Sequence, residues 1–193
     1  MPTKYQITPG ACIGAALLLL LLPLKWLTAA FFAACFHEVC HYAALRLCRT
    51  RPRKLAISAN GAVMEIGALS YGKELFCALA GPLGSLSLIL VGRLFPRIAL
   101  CGAFHGLYNL LPLYPLDGGR ALHCGVRLLL PPNTADKVCT VVEMLCLGAI
   151  CVTALYGTAC LHLGFLPLCF ALVMLIKGKK VKFPCKAGLL RVQ

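Results

Sequence analysis

Five consecutive residues, His37-Glu38-Val39-Cys40-His41, combine the side chains of a hydrolytic metal site. If the surrounding AAFFAACFHEVCHYAAL is helical, His37 and His41 lie four apart on one face, where two imidazoles can grip one zinc ion. Glu38 then stands beside the metal as a candidate general base for a water. The flanks are long and apolar enough to lie in lipid, where ionisable residues are costly and mark function.

A zinc site with two histidines needs a third protein ligand and one open position. Asp117 is the candidate, at the end of Asn109-Leu-Leu-Pro112-Leu-Tyr-Pro115-Leu-Asp117-Gly118-Gly119-Arg120. Pro112 and Pro115 remove backbone donors, and the paired glycines allow a sharp turn beside the metal. Irregular backbone at membrane depth is tolerated where it faces protein or a wet cavity. A carboxylate at such a break points to function; capping of a helix starting near Arg120 is the alternative. Asn109 could hydrogen-bond a substrate carbonyl or developing oxyanion, or another helix. His105 shares a helix face with Asn109 and is read as packed or interfacial. His123 and His162 are read as structural, and Glu65 and Glu74 are expected at the membrane surface. Gly102-x-x-x-Gly106 is a weak mark of close helix packing.

These residues must be positioned by an apolar chain. Of 193 residues, 60% are hydrophobic and 13% charged, and the mean hydropathy is +0.85. That excludes an ordinary soluble domain. The expected fold class is an all-α polytopic membrane protein of about six transmembrane helices with a short membrane-associated β-hairpin. The spans are expected over about 9–27, 28–48, 74–95, 97–115, 138–157 and 159–176. Residues 120–136 read as a short interfacial segment that breaks at Pro131-Pro132. Asn60-Gly61, between alternating β-capable residues of 55–69, reads as the hairpin turn. One membrane-embedded domain, 1–176, precedes a basic tail, 177–193.

The formal charge of +13 does not imply nucleic acid. The basic residues cluster between apolar stretches, without stacking aromatics between them. With six spans and both ends in the cytoplasm, only Lys25, Arg93 and Arg97 of the 19 basic residues fall on the far side. The same layout puts His41 and Asp117 near the cytoplasmic ends of their helices. The 13 cysteines have no C-x-x-C spacing and are read as small apolar packing residues. The first apolar stretch lacks a small-x-small cleavage site and is read as a true span.

His37-Glu38-x-x-His41, followed by Asn109-x-x-Pro112-x-x-x-x-Asp117-Gly118, resembles the site-2 protease family of intramembrane zinc metalloproteases. Over about residues 28–130 the likeness is greatest to its sporulation branch, which processes a precursor sigma factor. The resemblance implies His37, His41 and Asp117 as ligands of Zn2+ and Glu38 as general base. It implies an active-site role for Asn109, and a hairpin around Gly61 that presents substrate as a strand. Gly81-Pro82 is similar to the family's Gly-Pro-x-x-Asn element, but position 85 is serine. The tail is too short for the nucleotide-sensing or PDZ domains of some family members.

The expected activity is therefore metal-assisted hydrolysis of a peptide bond in or near a substrate's membrane segment. A pro-sigma factor is the first substrate class; a membrane-bound anti-sigma factor or leftover signal peptides are the others. The expected partners are that membrane-associated protein, the lipid bilayer, membrane regulatory or inhibitory proteins, and a second copy of the chain in a homo-oligomer. The alternatives are a catalytically silent scaffold and a metal transporter using the same His/Asp site.

Overall fold

The computed structural model describes residues 4–7, 23–50, 54–58, 61–66, 69–162, 164–179 and 190–192. Among these, six α-helices form the body of the molecule: α1 (Leu24–Leu47), α2 (Tyr71–Ser87), α3 (Pro96–Asn109), α4 (Asp117–Leu129), α5 (Pro132–Ala159) and α6 (Leu166–Lys179). A 3-10 turn, Leu88–Val91, extends α2. Two helical stretches, Tyr71–Val91 and Pro132–Ala159, are long and apolar enough to cross a membrane, and Pro167–Ile176 is a shorter apolar segment.

Local sequence explains where the helices stop. α1 starts directly after Pro23, which stands at its N-terminal boundary, where the missing N–H costs no helical hydrogen bond. Residues 24–27, expected to end a first span, thus belong to the helix carrying the histidines; the rest of that expected span, 9–22, lies outside the described residues. α3 ends at Asn109, well short of 115, because Pro112 and Pro115 follow. The segment expected to be interfacial, 120–136, contains most of the helix α4, which ends at Leu129 ahead of Pro131-Pro132; α5 then begins at Pro132. The last expected span, 159–176, is interrupted: α5 ends at Ala159, the backbone turns through Gly164 (φ 72°), and α6 starts at Leu166.

α2 is the central helix, packed against α1, α3 and α4. Small residues make that packing close. Gly102 and Gly106 of α3 lie against α2: a Cβ on Gly106 would meet the Pro82 carbonyl oxygen at 2.9 Å, and one on Gly102 the Ser85 carbonyl oxygen at 2.8 Å. The glycine pair that the sequence marked only weakly is thus the α2–α3 contact. On α1 the buried stripe is Ala29, Ala33, His37, His41, Ala44 and Leu45, one face at helical spacing. Phe31, Phe32, Val39 and Leu47 of the same helix are exposed.

Four short strands form a sheet of order β1-β2-β3-β4: β1 (Lys4–Ile7), β2 (Lys54–Ser58), β3 (Gly61–Ile66) and β4 (Leu190–Val192). The backbones of β2 and β3 pair antiparallel, with Lys54 opposite Glu65 and Ser58 opposite Gly61. The turn between them, 59–60, lies outside the described residues. β1 joins β2 in parallel and β4 joins β3 antiparallel, so β2 and β3 are the inner strands. Among the described residues, β1 and β4 are the outer strands of the sheet.

Candidate metal centre

Two helices bring the expected ligands together. α1 presents His37 and His41 one turn apart, and α4 presents Asp117 at its first residue. Asp117 Oδ2 lies 3.1 Å from His37 Nε2 and 2.9 Å from His41 Nε2, and the two Nε2 atoms are 3.0 Å apart. All three side chains are buried. Three lone-pair donors facing one point is the arrangement of a metal site, and these residues form such a group. Ligand atoms at about 2.0–2.1 Å from a tetrahedral zinc stand about 3.3 Å from each other, so the donor set fits zinc after an outward shift of a few tenths of an ångström.

The other ring nitrogens are held from behind by α2. His41 Nδ1 donates to the Cys77 carbonyl oxygen at 2.7 Å. A carbonyl can only accept, so the proton of the neutral imidazole sits on Nδ1 and the Nε2 lone pair faces Asp117 and His37. His37 Nδ1 pairs with the Ser85 hydroxyl at 2.9 Å. Such partners orient metal-binding histidines and fix the tautomer. Ser85 is fully buried. At the position where the family element would carry asparagine, this chain places a hydroxyl on a histidine of the cluster.

Close backbone approach explains the glycines. A Cβ on Gly81 would fall 2.2 Å from His41 Nε2, and one on Gly84 2.2 Å from Cys40 Sγ. Gly118 and Gly119 are not a turn. They form the first turn of α4, where a Cβ would meet the Leu110 carbonyl oxygen at 2.1 Å or the Leu113 carbonyl carbon at 2.4 Å. The loop 110–116, with a cis Tyr114–Pro115 bond, folds back over the helix that starts with Asp117. Glu143 of α5 accepts from the Tyr114 backbone N–H at 3.2 Å and ties this loop to the bundle.

Glu38 follows His37 on α1. Its Oε2 is buried and has no hydrogen-bond partner. A buried polar group without a partner costs about 2–7 kcal/mol. Asn109 Nδ2 donates to the His105 carbonyl oxygen at 3.1 Å, within α3. His105 itself is nearer than its sequence reading implied. Its ring stands edge-on to His37 with centroids 4.7 Å apart. Glu74, expected at the membrane surface, is buried beside Arg120.

No family model and no curated protein matches the sequence. A solved structure does: the site-2 protease from Methanocaldococcus jannaschii, with a TM-score of 0.60 at 18% identity, covering 96% of this chain and 96% of that one. This chain has the site-2 protease fold. At that identity the likeness is one of architecture, and the chemistry rests on the residues gathered inside it.

His123 and His162 stand away from the cluster. His123 Nε2 is 3.5 Å from Asp136 Oδ1, and His162 is exposed on the α5–α6 connection. The cysteines whose side chains are described are free thiols; Cys77, Cys124 and Cys139 are buried, whereas Cys35, Cys160 and Cys169 are exposed.

Proposed function

We propose that this chain is an intramembrane zinc metalloprotease. The observation that carries the reading is the convergence of His37 Nε2, His41 Nε2 and Asp117 Oδ2 on one buried point in an apolar bundle of site-2 protease fold, with the free Oε2 of Glu38 one residue away. His37, His41 and Asp117 would hold the ion. Zinc would supply Lewis-acid polarisation at neutral pH.

The chain's own groups supply the rest. Glu38 takes a proton from the attacking water on Oε2 and hands it to the leaving amine. Asn109 is proposed as a donor to the substrate carbonyl; in that role its amide trades the His105 carbonyl for substrate. The peptide has to enter unwound, because helical hydrogen bonds shield the bond to be cut. The substrate we propose is a membrane-associated protein, a precursor sigma factor first. The chain sits in the cell membrane with both ends in the cytoplasm, as the basic residues favour. Membrane regulatory proteins and a second copy of the chain are its proposed partners.

A metal transporter would need further carboxylates along a path. Glu74 is not available for that, since Arg120 already engages it. The scaffold and protease readings part at Glu38. Co-expression of a tagged pro-sigma-like substrate with wild type and with Glu38→Gln, alongside zinc content per purified chain, separates them. The expected result is cleavage by wild type only, with one zinc in both. Equal cleavage by both would remove Glu38 from the mechanism, and a zinc-free wild type would sink the enzyme reading.

A further inference from the structure

The two carboxylate oxygens of Asp117 face different partners. Oδ2 points at both histidines, whereas Oδ1 lies 3.4 Å from Arg120 Nη1. The other guanidinium nitrogen of Arg120, Nη2, is 3.5 Å from Glu74 Oε1. Exposure is 6% for Glu74, 2% for Asp117 and 3% for Arg120. A guanidinium this deep needs counter-charge, and carboxylates from α4 and α2 supply it on both sides. The planar fork of arginine can address two carboxylates at fixed angles, which a lysine ammonium cannot.

We propose that Arg120 is a positioning residue for the metal ligand: held between Asp117 and Glu74, it occupies Oδ1 and leaves Oδ2 alone turned toward His37 and His41. Asp117 then enters the site through one oxygen. A two-oxygen carboxylate would take the position that a catalytic metal keeps open. Glu74 acts at one remove, by fixing the guanidinium. This inference rests on the reading that His37, His41 and Asp117 hold a metal.

The test uses the full chain purified in detergent, as wild type, Arg120→Met, Arg120→Lys and the double variant Glu74→Gln/Arg120→Met. Three quantities are measured: zinc affinity by chelator competition, unfolding temperature of the metal-free protein, and the visible absorption of the cobalt(II)-loaded protein. Arg120→Met is expected to lose about 10–100-fold in zinc affinity, the usual cost of losing a group behind a ligand. Its cobalt bands should weaken, because a freed Oδ1 raises the coordination number above four. Arg120→Lys should fall between, keeping the charge without the fork.

The double variant separates positioning from folding. Glu74→Gln removes the carboxylate that Arg120→Met would leave buried without counter-charge, while Asp117 loses its arginine in both variants, so the unfolding temperature should recover in part relative to Arg120→Met while zinc affinity stays low. Wild-type affinity and cobalt bands in Arg120→Met would overturn the proposal, as would affinity that returns together with stability in the double variant. If Arg120→Met does not fold, the double variant and Arg120→Lys decide by the same criteria. A wild type that binds no zinc would instead remove the metal reading itself, before any variant is compared.

Discussion

α1 and α2, which carry most of the site, and the hairpin of α5 and α6 are built from similarly apolar sequence, yet among the described residues only the site helices, α4 with them, add polar and charged side chains to what they bury. α1, α2 and α4 bury His37, His41, Glu74, Ser85, Asp117 and Arg120, all of them polar or charged. α5 buries Ala135, Cys139, Ala154 and Gly157, and α6 buries Ala171 and Met174. Met144, Leu145, Val152 and Leu155 are left on the outside of α5. In an apolar environment the greasy surface has little to gain from packing, whereas every buried polar group must find a partner or remain a cost. The first region is therefore specified by hydrogen bonds and close backbone approach, and the second by length and hydropathy. The two regions meet at Glu143, through its bond to the Tyr114 backbone, and at Asp136 of α5, which pairs with Arg127 and His123 of α4.

The sharpest way to break this contrast is to add one carbon where the site has no room. In Gly81→Ala the new Cβ would sit 2.2 Å from His41 Nε2 and 2.6 Å from both ring carbons beside it. The imidazole cannot swing aside freely, because Nδ1 is held by the Cys77 carbonyl. The ring has to leave its place, so zinc affinity should fall by more than about 100-fold, beyond the usual cost of a lost supporting group. Equilibrium dialysis with zinc measures it. Near-normal binding would mean that His41 is not held where the ligand cluster requires it.

A subtler test removes one support and no ligand. Ser85→Ala leaves His37 Nδ1 buried without its 2.9 Å partner. Zinc affinity is expected to drop about tenfold, the mild end for such groups, with one zinc per chain still bound at saturation. Isothermal titration against a competing chelator gives both numbers. An unchanged affinity would reduce Ser85 to helix packing.

The three residues of the buried cluster were legible in the sequence for a local reason. His37 and His41 are four apart, and Asp117 follows a run of helix breakers, so short-range pattern marks both. The Ser85–His37 and Arg120–Glu74 pairs were not legible, because they lie 48 and 46 residues apart and no periodicity registers a contact between helices; Arg120 and Asp117, by contrast, are three apart on one helix, a spacing that could have marked the pair. Glu74 was misread because Lys73-Glu74 looks like a helix boundary, while α2 already begins at Tyr71 and carries Glu74 to its buried face. One signal was available: Glu74 is one of only six acidic residues, beside an apolar segment, where a carboxylate needs an arginine. The helix bodies were legible from hydropathy. Their ends shifted wherever proline or a left-handed glycine stopped a helix inside an apolar run, as at Pro112 and Gly164.

The smallest expected effect lies on the other side of the contrast. Leu145 is 69% exposed on α5 and faces away from the bundle. In water its truncation would remove nothing from a core; in lipid, a leucine and the acyl chain that replaces it are equally apolar. Leu145→Ala should therefore change unfolding stability in detergent by no more than about 0.5 kcal/mol, as for other surface substitutions, and leave zinc affinity unchanged. Denaturant titration read by tryptophan emission is suitable, since the chain has a single tryptophan, Trp26, on α1, the helix of the two histidines. A loss of several kcal/mol would show that α5 is held by a contact on its outer face, and that face would then belong to an interface between protein chains rather than to lipid.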